Sequence, residues 1–468
     1  MRSLVAPQKG RPEGYEVREL PVPSMTLPTH VLIRVHAAGM NTGELQALNG
    51  AFGFLYMPKF PAQIGMEGSG VVVAVGSGVK TLKVGDEVYG AYIEKPLFRR
   101  PPTGFASDYA VSDESFLLRK PSHLSFDEVA GLSTVVLTSY QTWRRALQLA
   151  GEESLEGKTV YISAGLSSTG SMAAQVAKKV LGAARVITTV STPKVPLVER
   201  HLPGIFDQVI DYKTQRLRDE VPLGSVDFMY NTQWATLDEG IPLLKRGTGV
   251  LISIASVPRK ETVREMLGAD RFKWWMGLVL DLAQLVYKWK LRGTGVKYEM
   301  VSGSLEIRED LERAGEIVAL GKVRPVMRVA GLEDMEAVRK GCDEVVTGKG
   351  GVGKMIVKIV PLAQASVAKP LYALHATPNR DSRHPPATTS GRLFRRAPAA
   401  TNTCQGPPTR LVTSTTGTNP SHSVRKLNPP RPPPILAVFS ASSFFSAPIG
   451  FSSSLYEALR GARVCVIP

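Results

Sequence analysis

The first 125 residues alternate short apolar runs with Gly and Pro punctuation, most clearly in "HVLIRVHAAG", "GSGVVVAVGSGV" and "GDEVYGAYI". Runs of this length without a lasting helical period predict a small, irregular, barrel-like domain over residues 1–125. A helical stretch follows, "SFDEVAGLSTVVLTSYQTWRRALQLAG", with Ser125 as its cap and Glu128 at capping-box spacing. From Thr159 the pattern becomes strand, glycine-bearing turn, helix, strand, in "TVYISAG", "LSSTGSMAAQVAKKVLG" and "RVITTV". The runs "QVIDY", "VDFMYNT" and "GVLISIAS" continue the series. Repeated βα units predict an α/β domain with a parallel, doubly wound sheet over residues 126–258.

Residues 259–361 are expected to carry an insert and then return the chain to the first domain. The insert is the Trp-rich "RFKWWMGLVLDLAQLVYKWKLR", Arg271 to Arg292. Its apolar face is open to four readings: packing on the protein's own core, a cap over a bulky hydrophobic substrate, a homodimer interface, or a membrane surface. Asp281 and Gln284 interrupt its apolar run, so no transmembrane span is expected. Beyond it, "EDLERAGEIVALGK" predicts a helix. "GLEDMEAVRKGCDEVV" predicts another, with Met335, Val338, Cys342 and Val345 along one face, and "MIVKIV" predicts a strand.

Charge changes this picture only at the end of the chain. Of the net +16, +10 falls between Leu362 and Pro468, where 12 Lys and Arg face 2 Asp and Glu. This stretch, residues 362–468, is rich in Pro, Ser and Thr without lasting periodicity and is expected to be a disordered tail. It reads as an appendage without a fold rather than a basic arm for RNA or acidic lipid, so nucleic acid is not an expected partner. Of Cys342, Cys404 and Cys465 only the first precedes the tail, which argues against a disulfide framework and a Cys-rich zinc module. The start of the chain lacks the apolar region of a signal peptide, and a cytoplasmic location is expected.

Two stretches compete as nucleotide sites. "GKGGVGKMIVKI", from Gly348, matches P-loop spacing for all but one residue. A P-loop needs a strand before its glycines and a helix after them, so that backbone N–H groups and the helix dipole face the phosphates. Here the order is reversed, and the position of the magnesium-binding hydroxyl is Met355. The reading is therefore a glycine turn leading into the last strand. The second stretch, Ala164-Gly165-Leu166-Ser167-Ser168-Thr169-Gly170, has the right order. Its small residues still allow close approach of a pyrophosphate. Gly165, Ser167, Ser168, Thr169 and Gly170 are the expected contacts. The next strand ends in Ser191, Thr192, Pro193 and Lys194, with no carboxylate to hold a ribose 2′-hydroxyl. A hydroxyl and an ammonium favour a 2′-phosphate, so the expected cofactor is NADPH, held by Ser191 and Lys194 with Tyr212 as a further contact.

Residues 1 to about 360 resemble the medium-chain dehydrogenase/reductase superfamily, in its zinc-independent quinone oxidoreductase and enoyl reductase branch, and especially fungal GroES-like oxidoreductases. The stretches that carry the resemblance, in order, are "AAGMNTGEL", "IGMEGSGVVVAVGSGV", "VGDEVYG", "GFASDYAVSDESFLLRKP", "LTSYQTW", "YISAGLSSTGSMAAQVAK" and "DQVIDYKTQ". The resemblance implies a GroES-like irregular β-barrel joined to a Rossmann domain. Where zinc alcohol dehydrogenases of the superfamily hold the catalytic metal through Cys, His and Cys, this chain has Asn41, Met66 and Thr134. The structural-zinc lobe corresponds to "IEKPLFRRPPTG", which has no cysteine. No zinc is expected, with His36 and His123 read as structural.

Without a Lewis acid, the natural chemistry is hydride addition to a hydrophobic enone, enoyl or quinone acceptor that delocalises the charge itself. The resemblance implies that Asn41 and Thr138 lie beside the nicotinamide, with Tyr140 close by. It also places Asn231 and Thr232 near the adenine side. Gln46 stands where related reductases carry a Tyr, leaving Tyr56 or solvent as proton donor. Glu67 is read as a structural carboxylate. Two readings stay open beside the enzyme: a non-catalytic NADPH-binding subunit, for example of a polyketide synthase, and a nucleic-acid binder acting through the tail.

Overall fold

The computed structural model describes residues 1–51, 53, 58–93 and 104–359. The expected tail, Tyr56 and nearly all of the structural-zinc-lobe counterpart lie outside them. In the first part, strands β1 (Arg2–Ala6), β2 (Glu16–Glu19), β3 (His30–Gly39), β4 (Ala62–Gln63), β5 (Glu67–Val75), β6 (Glu87–Ala91), β7 (Tyr109–Asp113) and β8 (Leu117–Arg119) enclose one short helix, α1 (Thr42–Leu48). A small antiparallel sheet has the order β2-β1-β4. The ten-residue β3 is the hub of the larger sheet, pairing antiparallel with β5 and β7. Its register with β5 shifts twice, so the sheet coils into the irregular barrel that the short apolar runs predict.

The next helices follow their local signals. Ser125 and Glu128 form the expected capping box at the start of α2 (Phe126–Val129). Helix α3 (Ser133–Ala150) ends at Gly151, which takes the left-handed conformation at φ 76°. Trp143 on α3 is fully buried; its indole N–H donates to the carbonyl of Ala173 at 3.0 Å. Its ring meets those of Phe228 and Tyr230, joining the helix to the second sheet.

That sheet contains β9 (Thr159–Ile162), β10 (Arg185–Val190), β11 (Gln208–Asp211), β12 (Phe228–Asn231), β13 (Val250–Ser253) and β14 (Lys297–Met300), all parallel, in the order β11-β10-β9-β12-β13-β14. Its central strands are buried on both faces, which is why they read as continuous apolar runs rather than alternations. The crossovers include α4 (Ser168–Gln175), α5 (Val195–His201), α6 (Leu217–Glu220) and α7 (Leu237–Gly240). The boundary expected at 258 falls inside this domain. After β13 the chain makes α8 (Lys260–Leu267) and the Trp-rich α9 (Trp274–Lys290), then re-enters the same sheet as β14. Parallel pairing needs a long crossover, and the insert is that crossover.

Only then does the chain go back, through α10 (Arg308–Ala319), β15 (Met327–Gly331), α11 (Met335–Thr347) and β16 (Lys354–Lys358). Strands β15 and β16 extend the first sheet to the order β15-β16-β3-β5-β6-β8. The two parts share one apolar core that runs from Leu4 and Ile33 through Trp143 to Ile252 and Val357.

Candidate active site

Three strand registers converge on one point. β3 pairs with β5 so that Gly39 faces Glu67, and β16 pairs with β3 so that Ile356 faces Gly39. Continuing one step, the N–H of Met40 donates to the carbonyl of Met355, which sets Asn41 beside Lys354. The Lys354 ammonium donates to Asn41 Oδ1 at 2.6 Å and pairs with Glu67 Oε1 at 2.5 Å. Both charged residues are buried, at 0% and 3% exposure for Glu67 and Lys354. Gly131 makes room for the lysine stem, because a Cβ there would lie 2.6 Å from Lys354 Cγ.

The remaining partners come from the start of α3. Glu67 Oε2 accepts from the Ser133 hydroxyl at 2.7 Å and from the Thr134 N–H at 3.0 Å, and Oε1 accepts from the Thr134 hydroxyl at 2.7 Å. Helix α3 lacks a side-chain cap of its own, so the carboxylate serves its exposed N–H groups and its dipole. Asn41 Nδ2 donates to Glu67 Oε1 at 3.0 Å, and the Thr134 hydroxyl lies 3.4 Å from Asn41 Oδ1. Cation on one side and anion on the other fix which way the amide points. Burial works against the charge on Glu67, but the ammonium and the hydroxyl and amide donors outweigh it and hold the carboxyl below its ordinary range. Asn41 and Thr134, expected near the metal position, are thus brought together; between Asn41 and Glu67 sits a fixed positive charge that the sequence reading did not anticipate.

A second carboxylate, Glu44 on α1, is also buried and accepts from the N–H groups of Gly65 and Met66 at 2.7 and 3.3 Å. Burial pushes it up to about 7. It clamps the loop that delivers Glu67. Gln46 points its amide to the Val346 carbonyl at 3.5 Å. His36 stacks on Phe126 at 4.0 Å, and His123 is exposed. Among the described residues no three His, Cys, Asp or Glu side chains come together as a metal-binding group.

Thr138 lies one helical turn after Thr134, and Gly303 packs so closely that a Cβ there would be 2.5 Å from the Thr138 hydroxyl oxygen. Tyr140 is a correction. Two residues further on, it lies about 200° round the helix from Thr138. Its ring is covered by Arg144 at 5.9 Å, and Arg144 is locked bidentate to Asp310 of α10 at 2.6 and 2.9 Å. It belongs to the junction of α3 and α10. Tyr56 lies outside the described residues.

The turn expected to hold the dinucleotide lies between a strand and a helix, β9 and α4. Ala164 takes φ 53°, the left-handed region usually left to glycine. Ser167 caps α4, accepting from the Gly170 N–H at 3.0 Å. Gly165 is required by space, since a Cβ would lie 2.4 Å from Thr188 Oγ1. The Ser168 hydroxyl is buried and has no hydrogen-bond partner among the described residues. At the end of β10, Ser191 stands next to Tyr212, because Val190 is in register with Asp211. Tyr212 is exposed, with the Lys213 ammonium 5.3 Å from its ring centre.

Asp211 itself was overlooked by the sequence reading. The Thr192 hydroxyl is the main influence that keeps its carboxyl below the ordinary range, and the Lys213 N–H donates to it at 3.0 Å. Asn231 and Thr232 do not lie on the adenine side. The strand order sets β12 across β9 from β10, at the switch point. Asn231 turns inward to Ser253 and Thr236, and Thr232 bonds Ser163.

The discarded P-loop stretch adjoins this turn. Gly353 N–H donates to the Leu166 carbonyl at 2.8 Å, and the Lys194 ammonium donates to the Gly351 carbonyl at 2.5 Å. Arg328, ion-paired with Glu344 at 3.0 Å, bonds the carbonyls of Val352 and Gly353 at 3.1 and 3.3 Å. As expected, the stretch leads from a helix into a strand. Yet it also carries Lys354 to Glu67 and Asn41 and lies against the turn after β9.

This assembly defines a class: a GroES-like barrel whose polar centre faces a Rossmann domain. Residues 27–122 match the alcohol dehydrogenase GroES-like domain family, and residues 206–356 match the zinc-binding dehydrogenase family. The chain belongs to the medium-chain dehydrogenase/reductase superfamily. It is 34% identical over 227 residues to 2-methylene-furan-3-one reductase of Solanum lycopersicum, covering 48% of this chain and 55% of that one. It is 36% identical over 189 residues to the chloroplastic NADPH-dependent alkenal/one oxidoreductase of Arabidopsis thaliana, covering 40% and 46%. The chain thus spans about half the length of these two relatives. The quinone oxidoreductase of Coxiella burnetii shares the fold, with a TM-score of 0.60 at 22% identity over 77% of this chain and 99% of that one.

Proposed function

We propose that the protein is an NADPH-dependent reductase of activated C=C bonds or quinones that works without zinc. The observation that carries this reading is the buried Lys354 ammonium, held between Glu67 and Asn41 beside the metal position of zinc-dependent relatives. An amide, a thioether and a hydroxyl are a poor donor set for zinc, and an ammonium 2.6 Å from the amide oxygen would repel a second cation. The same fixed charge suits an acceptor whose oxygen becomes negative during reaction, because it is in place before the charge develops.

For the cofactor, the partnerless Ser168 hydroxyl, the small residues from Gly165 to Gly170 and the start of α4 fit a pyrophosphate. Ser191 and Lys194 would hold a 2′-phosphate, with Lys194 exchanging the Gly351 carbonyl for it. When bound, the reduced nicotinamide supplies a hydride. The protein's share is then to orient the acceptor beside Thr138 and Asn41 and to stabilise its oxygen with Lys354. With two N–H groups spent on Glu67 and Asn41, the third is free to donate to that oxygen. Solvent or Tyr56 supplies the proton that completes the reduction. The relatives named as an enone reductase and an alkenal/one oxidoreductase support this substrate class.

The test is consumption of NADPH by the purified full chain against a panel of enones, enals and quinones, with and without a chelator. Turnover that prefers NADPH over NADH and persists in chelator is expected. Tight NADPH binding without turnover on any acceptor would sink the reductase reading in favour of a cofactor-binding subunit. Stoichiometric zinc in the active protein would overturn the metal-free one.

A further inference from the structure

We infer that helix α9 seats the protein on the surface of an anionic lipid bilayer. This rests on the insert alone and is independent of the chemistry of the active site. Seen down its axis, α9 has a buried side and an outer side. Met276, Gly277 and Leu280 are buried, two of them in a small cluster with Val263 and Leu267 of α8. Tyr287 and Gln284 bond the backbone of Val257. The helix is therefore fixed in place.

Its outer side is apolar along its whole length. Trp274, Leu278, Val279, Leu282, Leu285 and Trp289 are all exposed, Trp274 at 81% and Trp289 at 72%. At about 100° per residue they fall within an arc of roughly 140°, and the stripe runs about 23 Å from Trp274 to Trp289. A contiguous stripe of this kind is not the scattered apolar exposure of an ordinary surface. It is not a span either, since no helix of the described residues is long and apolar enough to cross a membrane.

Charge identifies what covers it. Lys273 at one end and Lys288 and Arg292 at the other are exposed and hold no ion pair among the described residues. Asp281, the one acidic residue of the helix, is held by Lys260 at 2.8 Å. A second copy docked two-fold on the stripe would set these cations against one another. The basic residues 362–468 carry the same sign. An anionic headgroup layer complements the rim, the aliphatic arc enters the acyl boundary, and the two end tryptophans sit where amphipathic rings partition best.

The experiment is flotation of the full-length protein with vesicles of phosphatidylcholine, with and without phosphatidylserine, followed also by tryptophan emission. Expected are co-flotation that requires phosphatidylserine, a blue shift of the emission, and quenching by brominated lipid. The double substitution Leu278→Asp, Leu282→Asp changes only exposed positions. It should weaken partitioning by roughly tenfold or more and leave NADPH binding intact. Trp274→Ala with Trp289→Ala should weaken it to a lesser degree. Absence of binding to either vesicle overturns the inference. So does binding that the Asp pair leaves unchanged, which would assign it to residues 362–468. A dimer in solution that the Asp pair converts to monomer would make a second copy the occupant.

Discussion

The chain has two glycine-bearing turns that look alike in sequence and do different work. Ala164–Gly170 comes off a buried parallel strand and starts a helix, and the Ser168 hydroxyl at that start is left without a partner among the described residues. Gly348–Lys354 comes off a helix and starts a strand. Its glycines serve geometry. Gly348 is the left-handed cap of α11 at φ 67°, and Gly353, at φ 63°, passes so close to Val326 that a Cβ would lie 1.9 Å from its carbonyl oxygen. Its carbonyls at Gly351 and Val352 are engaged by Lys194 and Arg328, while the N–H groups of Gly353 and Lys354 are taken by the carbonyls of Leu166 and Val326. The direction in which the chain enters a glycine turn decides whether it presents donors to an anion or acceptors to a cation.

The sharpest break of this comparison is Lys354→Met. It removes the cation at the end of the second turn and leaves Glu67 buried and uncompensated, which costs about 3–5 kcal/mol. Urea unfolding should show that loss, and the double variant with Glu67→Gln should recover most of it. If the single variant is as stable as the parent chain, the pair is not what holds the centre.

Next in size is the contrast within the turn itself. Gly353→Ala meets both a left-handed backbone and the Val326 carbonyl, and should cost more than about 2 kcal/mol. Gly348→Ala meets open space and should cost only about 1 kcal/mol. Equal losses would mean that the close approach to Val326 carries no weight.

The first turn should respond in binding instead of stability. Ser168→Ala deletes a hydroxyl without a partner among the described residues, so unfolding should change by less than about 0.5 kcal/mol. NADPH affinity should fall roughly fivefold, the equivalent of one hydrogen bond of about 1 kcal/mol. Lys194→Ala should erode the preference for NADPH over NADH by about tenfold, read from paired dissociation constants. An unchanged ratio would leave Ser191 and Tyr212 as the only expected contacts with the 2′-phosphate.

The smallest effect separates the two buried carboxylates beside Lys354. Glu67 is held below its ordinary range and Glu44 is pushed up to about 7. For Glu44 the folded chain binds more protons than the unfolded chain between its ordinary value of 4.5 and about 7. Its contribution to stability therefore declines as pH rises through that window and levels off above it. Glu44→Gln removes the slope, so its melting temperature relative to the parent should improve from pH 5 to pH 8. A constant gap would show that Glu44 is ionised throughout.

Much of the architecture and part of the site could be read before any contact was seen. Apolar period and turn chemistry determine the irregular first domain, the βα series, the capping box at Ser125 and Glu128, and the cofactor turn, because each is a local pattern within about twenty residues. The reversed order of helix and strand around Gly348 likewise suffices to reject a P-loop. Asn41 and Thr134 were legible through family resemblance, Tyr140 was misplaced on its helix, and Asn231 and Thr232 were assigned to the wrong half of the crevice.

What only the tertiary structure decided is where long-range pairing brings charge. Lys354 is 313 positions from Asn41, and no local pattern marks it as a partner of Glu67. The registers of β3, β5 and β16 set that meeting. Likewise the return of the chain as β14 made the Trp-rich insert a crossover with its apolar side outward. Helical period alone says that α9 has such a side, but only the packing of Met276 and Leu280 on α8 says which way it faces.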